Sequence, residues 1–236
     1  MLRFTGLDEP HLRHLRMERA PIGAINLDDW SGIILGGGPF NASDADKSDL
    51  QIRVEAEISG LLDQIVPRDF PFLGACYGIG TLGSHQGGVV DRTWSEPVGP
   101  MTINLTEAGR ADHIFSDLPD SFEALLGHKE AIRELPAHAV CLASSATCPV
   151  QAFRIGANVY ATQFHPELDV PGIETRIDVY RHAGYFEPHE ADALKARARA
   201  STIVHPATIL RRFVEAYADG RDANTQPRGL AHRLQG

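Results

Sequence analysis

Cysteine is scarce in this chain. Only Cys76, Cys141 and Cys148 occur in 236 residues, too few and too unevenly spaced for a disulfide framework, and none lies in a CxxC zinc pattern. A chain kept reduced in the cytoplasm is the expectation. Long apolar runs are also missing: the first 25 residues mix Arg, Glu, Asp and His, and no later stretch approaches the roughly 18 apolar residues of a membrane helix. Neither a signal peptide nor a membrane span is expected. Basic charge is in deficit, with 22 Lys and Arg against 31 Asp and Glu, a formal net charge of -9. No basic cluster interleaved with aromatics is available to track phosphates, which argues against nucleic acid as a partner.

The chain does have the makings of an ordinary core. Hydrophobic residues are 43% and charged residues 22%, so the composition is that of a globular domain. Ile33-Ile34-Leu35 followed by Gly36-Gly37-Gly38-Pro39 reads as a buried strand ending in a glycine turn. Leu50, Val54, Ile58, Leu61, Leu62 and Ile65 fall at helical spacing behind a Ser48/Gln51 capping pattern, and Pro67 ends that helix. Phe70 to Ala75 is a second apolar strand, Tyr77 to Gln86 a Gly-rich helix, and Gly87-Gly88 its stop. Val89 to Arg92, Met101 to Leu105 and Val140 to Ala143 look β-like. Val150 to Ile155 and Asn158 to Phe164 form a hairpin about Gly156-Ala157. Helices are expected over Glu187 to Ala200 and Pro206 to Ala218, the latter with Ile209, Leu210, Phe213, Val214 and Tyr217 on a core-facing stripe. Residues 1–218 are read as one domain with a helical extension from about residue 187, and residues 219–236 as a flexible tail.

Chemistry concentrates around Cys76. Gly74-Ala75-Cys76-Tyr77-Gly78 puts a cysteine on a turn between strand and helix, where small flanking residues suit a strained elbow and the helix N-terminus favours an anionic sulfur. A nucleophile of this kind needs a base held by a third group. His165 and Glu167, at the end of the Asn158 to Phe164 strand with Pro166 between them, supply both.

These segments resemble a known family. Gly74 to Gly78 and Gln163-Phe164-His165-Pro166-Glu167 resemble the two signature motifs of class I glutamine amidotransferases, and Gly36 to Pro39 their oxyanion loop. Within that family, Cys76-Tyr77-Gly78 and Gly127-His128-Lys129-Glu130 look most like the amidotransferase domain of GMP synthetase. The resemblance spans roughly Leu12 to Leu168. It implies an α/β, flavodoxin-like, doubly wound and mostly parallel sheet with flanking helices. It also implies a Cys76, His165, Glu167 triad that hydrolyses the glutamine amide through a thioester. Backbone N–H groups of Tyr77 and Gly38 would hold the oxyanion beside Gly37, with neither metal nor organic cofactor. The ammonia would pass to a synthetase partner in trans, since no GxxxxGK[ST] phosphate loop occurs here.

The sequence departs from the family twice. Gly80 stands where the family carries a substrate-holding Gln, which points to a larger pocket and a looser grip on free glutamine. The family's first strand also lacks a counterpart. Leu12 to Met17 is expected to be the family's second strand and Met1 to Gly6 the end of the preceding helix, so that the natural protein would extend further upstream. A stand-alone γ-glutamyl hydrolase and a non-catalytic regulatory relative are the alternative readings. His85 and His128 are assigned polar surface or loop roles, and Cys141 and Cys148 structural ones.

Overall fold

The computed structural model describes residues 1–181 and 184–218, so the expected tail lies outside the described residues. In chain order the elements are α1 (Leu2–Thr5), β1 (Ile33–Leu35), α2 (Asp49–Ile65), β2 (Phe72–Ala75), α3 (Tyr77–His85), β3 (Val89–Asp91), β4 (Glu96–Leu105) and α4 (Glu107–Ala111). They continue with β5 (Ser121–His128), β6 (Ala131–Glu134), β7 (Val140–Ser144), β8 (Ala152–Ile155), β9 (Val159–Thr162), α5 (Val170–Val179), α6 (Ala191–Ala200) and α7 (Ala207–Tyr217).

Seven strands form one sheet in the order β1-β2-β9-β8-β7-β4-β5, and β3 pairs with β6 in a separate ribbon. Pairing is parallel through β1, β2 and β9, and antiparallel from β9 onward. The parallel part is wound on both faces, because alternate residues of one strand point opposite ways. Leu73 and Tyr160 join Ile209, Leu210 and Phe213 of α7 on one face. Phe72, Val159 and Ala161 meet Val54, Ile58, Leu62 and Ile65 of α2 and Ile79 and Leu82 of α3 on the other. Each of these buried aliphatic side chains contributes about 1.5–3 kcal/mol. Helices flanking both faces of a parallel core make this an α/β, flavodoxin-like, doubly wound fold.

The helix expected from Leu50 is α2. Ser48 caps it, accepting a hydrogen bond from the Gln51 N–H at 3.2 Å; the Gln51 side chain turns away to Asn41 O and Glu55 instead of completing the capping box. Ile209, Leu210, Phe213 and Val214 of α7 are buried as the stripe predicts. The N-terminal expectation is only half met. Leu2–Thr5 is a helical turn closed by Gly6 in the left-handed region (φ 74), but Leu12 to Met17 is not a strand. Leu12 forms an isolated bridge, and Arg13, His14, Leu15 and Arg16 are exposed: two arginines and a histidine in six residues leave no continuous apolar face to bury in a sheet. β1 is therefore the edge strand, and residues 12–17 lie across it over an apolar cavity of about 280 Å³ lined in part by Leu12, Met17, Ile25, Ile33 and Leu61. Among the described residues no helix is long and apolar enough to cross a membrane.

Candidate active site

The carboxyl ends of the three parallel strands converge. In the register of β2 and β9, Ala75 lies opposite Thr162, so Cys76 leaves one strand where its neighbour ends, and His165 follows three residues later. Open α/β sheets present ligand sites along this edge. Two backbone bonds pin the pair: Cys76 N–H donates to Thr162 O at 2.8 Å and His165 N–H to Leu125 O at 2.9 Å.

Cys76 occupies φ 54, ψ −95, a conformation that costs a non-glycine residue on the order of 1–3 kcal/mol and marks functional sites. The elbow tolerates it because its neighbours are small. A Cβ on Gly74 would lie 3.0 Å from the Gly78 backbone, and one on Gly78 would lie 3.4 Å from Leu35 O. Tyr77 opens α3, so its N–H is one of the first-turn donors with no partner inside the helix. Its hydroxyl points away, donating to Glu55 Oε1 at 3.2 Å.

His165 is 3% exposed, and its Nδ1 lies 2.7 Å from Glu167 Oε1. Burial alone would lower the basicity of the imidazole, but the Glu167 carboxylate and the Cys76 sulfur outweigh it and raise its pKa to about 9. Burial works to raise the Glu167 carboxyl, yet the facing imidazole holds it below the usual range. Gly37 packs against this pair, since a Cβ there would lie 2.7 Å from His165 Cε1 and 3.3 Å from Cys76 Cβ. Gly38, Cys76 and His165 line one narrow cavity of about 40 Å³, otherwise walled mainly by Val98, Leu126 and residues of α5 and the segment after it.

Cys76, Tyr77, Gly37, Gly38, His165 and Glu167 are thus brought together. Gly80 is not. It faces Glu130, Ala42 and Val90 rather than the Cys76 cavity, and a Cβ there would lie 3.0 Å from Glu130 Oε1. The room left by the missing side chain is taken by that buried carboxylate, which accepts from the N–H groups of Ala42 and Ser43 at 2.6 and 2.7 Å.

His128 departs from its expected surface or loop role. Its side chain is 2% exposed at the end of β5, with Nε2 2.8 Å from Glu96 Oε2, inside a buried polar network that also holds Ser145 and Gln151. His85 is an ordinary surface partner of Asp63. Cys148 is buried, which pushes its thiol up to about 12, and burial also raises that of Cys141. Among the described residues no cluster of three or more His, Cys, Asp or Glu is arranged to hold a metal ion.

One residue at the site was not expected from sequence. Arg176 on α5 reaches into the cavity and places Nη1 2.8 Å from His165 Nε2. Helical spacing of Ile173, Arg176, Ile177 and Tyr180 is the local signal that could have marked this face.

Comparison with known proteins agrees with this geometry. Residues 13–174 match the family described as glutamine amidotransferase class-I. The chain is 33% identical over 152 residues to a separate subunit of the glutamine-hydrolyzing GMP synthase of Picrophilus torridus, covering 63% of this chain and 73% of that protein. It is 30% identical over 182 residues to the corresponding subunit of Thermococcus kodakarensis, covering 77% and 86%. Some longer GMP synthases are matched over only 26% of their length. A crystal structure of a glutamine amidotransferase from Thermotoga maritima superposes with a TM-score of 0.67 at 22% identity, covering 82% of this chain and 80% of that one, a likeness of fold. With a match over residues 13–174 and a fold and site built as described, the chain belongs to the class I glutamine amidotransferase family.

Proposed function

We propose that this protein hydrolyses the side-chain amide of glutamine through a thioester on Cys76 and delivers the ammonia to a synthetase partner of the GMP synthase kind. The observation that carries the reading is the convergence of a cysteine in a strained elbow with a buried His165 and Glu167 pair, at the carboxyl ends of adjacent parallel strands.

In this mechanism the Cys76 sulfur attacks the amide carbon, and the oxyanion is received by backbone N–H groups of Tyr77 and Gly38. Donors of this kind are worth about 2.7–4 kcal/mol each in the transition state. His165, with its raised pKa, holds the proton that the leaving ammonia requires, then takes one from the water that opens the thioester. Glu167 fixes the imidazole through Nδ1, leaving Nε2 for this traffic. The partner reading rests on the two relatives that are themselves subunits of a GMP synthase.

The test is ammonia release from glutamine and a series of γ-glutamyl amides, with and without a candidate synthetase. Glutamine turnover that rises when the synthetase is added supports the proposal. Preference for a bulkier γ-glutamyl amide, indifferent to any partner, would contradict it.

A further inference from the structure

The face of α5 that lines the cavity consists of Ile173, Arg176, Ile177 and Tyr180, three of which are apolar or aromatic. Tyr185, Phe186, Val98 and Leu126 continue the apolar wall. Arg176 is the one Lys or Arg among the described residues lining this cavity. Its guanidinium makes no ion pair within 4.0 Å among the described residues. What it has instead is the catalytic imidazole, with Nη1 at 2.8 Å from Nε2 and 3.3 Å from Nδ1 of His165.

This arrangement is unsettled in two ways. A guanidinium has donors only, so its bond to Nε2 uses the lone pair that must serve Cys76 and the leaving group. It is therefore incompatible with a protonated imidazole. A permanently charged group against an apolar wall also favours an anion, and planar carboxylates match its fork. The cavity as it stands, about 40 Å³, has room for about three waters. An amino acid can enter only if side chains move, and Arg176 fills the space next to the reacting atoms.

We propose that Arg176 is the receptor for the α-carboxylate of the substrate, and that its contact with His165 keeps the imidazole engaged until a carboxylate draws the guanidinium away. This rests on the reading of the substrate as glutamine. Carboxylate recognition and release of the base are then one event, so the nucleophile is activated when a γ-glutamyl compound with a free α-carboxylate is in place.

The test compares two alkylating chloroketone analogues of glutamine, one with a free α-carboxylate and one with an α-carboxamide, by the rate of Cys76 modification measured by peptide mass. In the parent protein the carboxylate form is expected to react roughly tenfold or more faster, the scale of one charge-assisted hydrogen bond. In Arg176→Gln the two rates are expected to converge, and Arg176→Lys, which keeps the charge, is expected to retain part of the preference. Because the ratio is taken within each protein, a purely structural role for Arg176 would slow both reagents alike. A ratio in Arg176→Gln and Arg176→Lys equal to that of the parent overturns the proposal. If neither analogue labels the parent while iodoacetamide does label Cys76, the glutamine reading itself falls and takes the carboxylate assignment with it.

Discussion

Gly37 lies so close to His165 that a Cβ on it would sit 2.7 Å from the imidazole Cε1. The ring cannot yield freely, because Glu167 holds Nδ1 and the side chain is buried. Gly37→Ala is therefore expected to displace the base. A shift approaching 1 Å at a catalytic group costs on the order of 100-fold, and kcat/KM for glutamine hydrolysis should fall by about that factor. Overpacking would cost about 1–3 kcal/mol of stability, read as a lower urea midpoint. Parent-like kinetics in Gly37→Ala would show that the glycine loop is not in contact with the working imidazole.

Cys76 stores backbone strain at φ 54, ψ −95. Glycine relieves it, since it has no Cβ to clash at positive φ, though it adds freedom to the unfolded chain. Cys76→Gly is expected to abolish hydrolysis while leaving the urea midpoint at or above that of the parent. A stability lowered by about 2 kcal/mol, the scale of burying a side chain, would mean that the elbow is held by contacts of the sulfur.

The pH dependence follows from the signs of the shifts. His165 is raised from 6.5 to about 9 in the folded protein. The stabilisation from its pairing is thus complete below about 6.5 and lost as pH rises through about 9. Its service as a general acid has the same upper limit, so kcat/KM should fall on the alkaline side near pH 9. Glu167→Gln removes the carboxylate that raises it, while burial continues to lower it. The alkaline limb should then move toward neutrality, with a lower kcat. An alkaline limb unmoved by Glu167→Gln would separate Glu167 from the titration of the base.

At Gly80 the outcome hinges on Glu130. A side chain there meets the carboxylate that holds the Ala42 and Ser43 N–H groups. Gly80→Gln is expected to lower stability by about 1–3 kcal/mol through overpacking without improving KM for glutamine. A several-fold lower KM at unchanged urea midpoint would show instead that position 80 reaches the substrate.

Much of the site was legible because its signals are local. The glycine turn after Ile33-Ile34-Leu35, the small residues around Cys76 and the strand that delivers His165 each depend on a few consecutive residues, and the structure places them at one sheet edge. Other parts depend on distant partners. β5 has no clean alternation, since Ala124, Leu125 and Leu126 in succession are buried, and its place is fixed by pairing with β4. α5 begins Val170-Pro171-Gly172, poor helix formers in the interior, although the Asp169 cap on Gly172 N–H and Pro near the first turn were readable start signals. The role of Arg176 could not be read locally, because it depends on where α5 packs. Leu12 to Met17 misled in the opposite sense. Its apolar residues suggested a strand, but its charges leave it lying over the sheet edge.

The central claim is that Cys76 forms the thioester. Its most direct test is rapid acid quenching of the protein turning over glutamine, followed by peptide mass mapping. A glutamyl adduct on the Cys76 peptide, absent from Cys76→Ser, is the predicted result. Glutamine hydrolysis undiminished in Cys76→Ser, or an adduct on Cys141 or Cys148 with Cys76 unmodified, would contradict it.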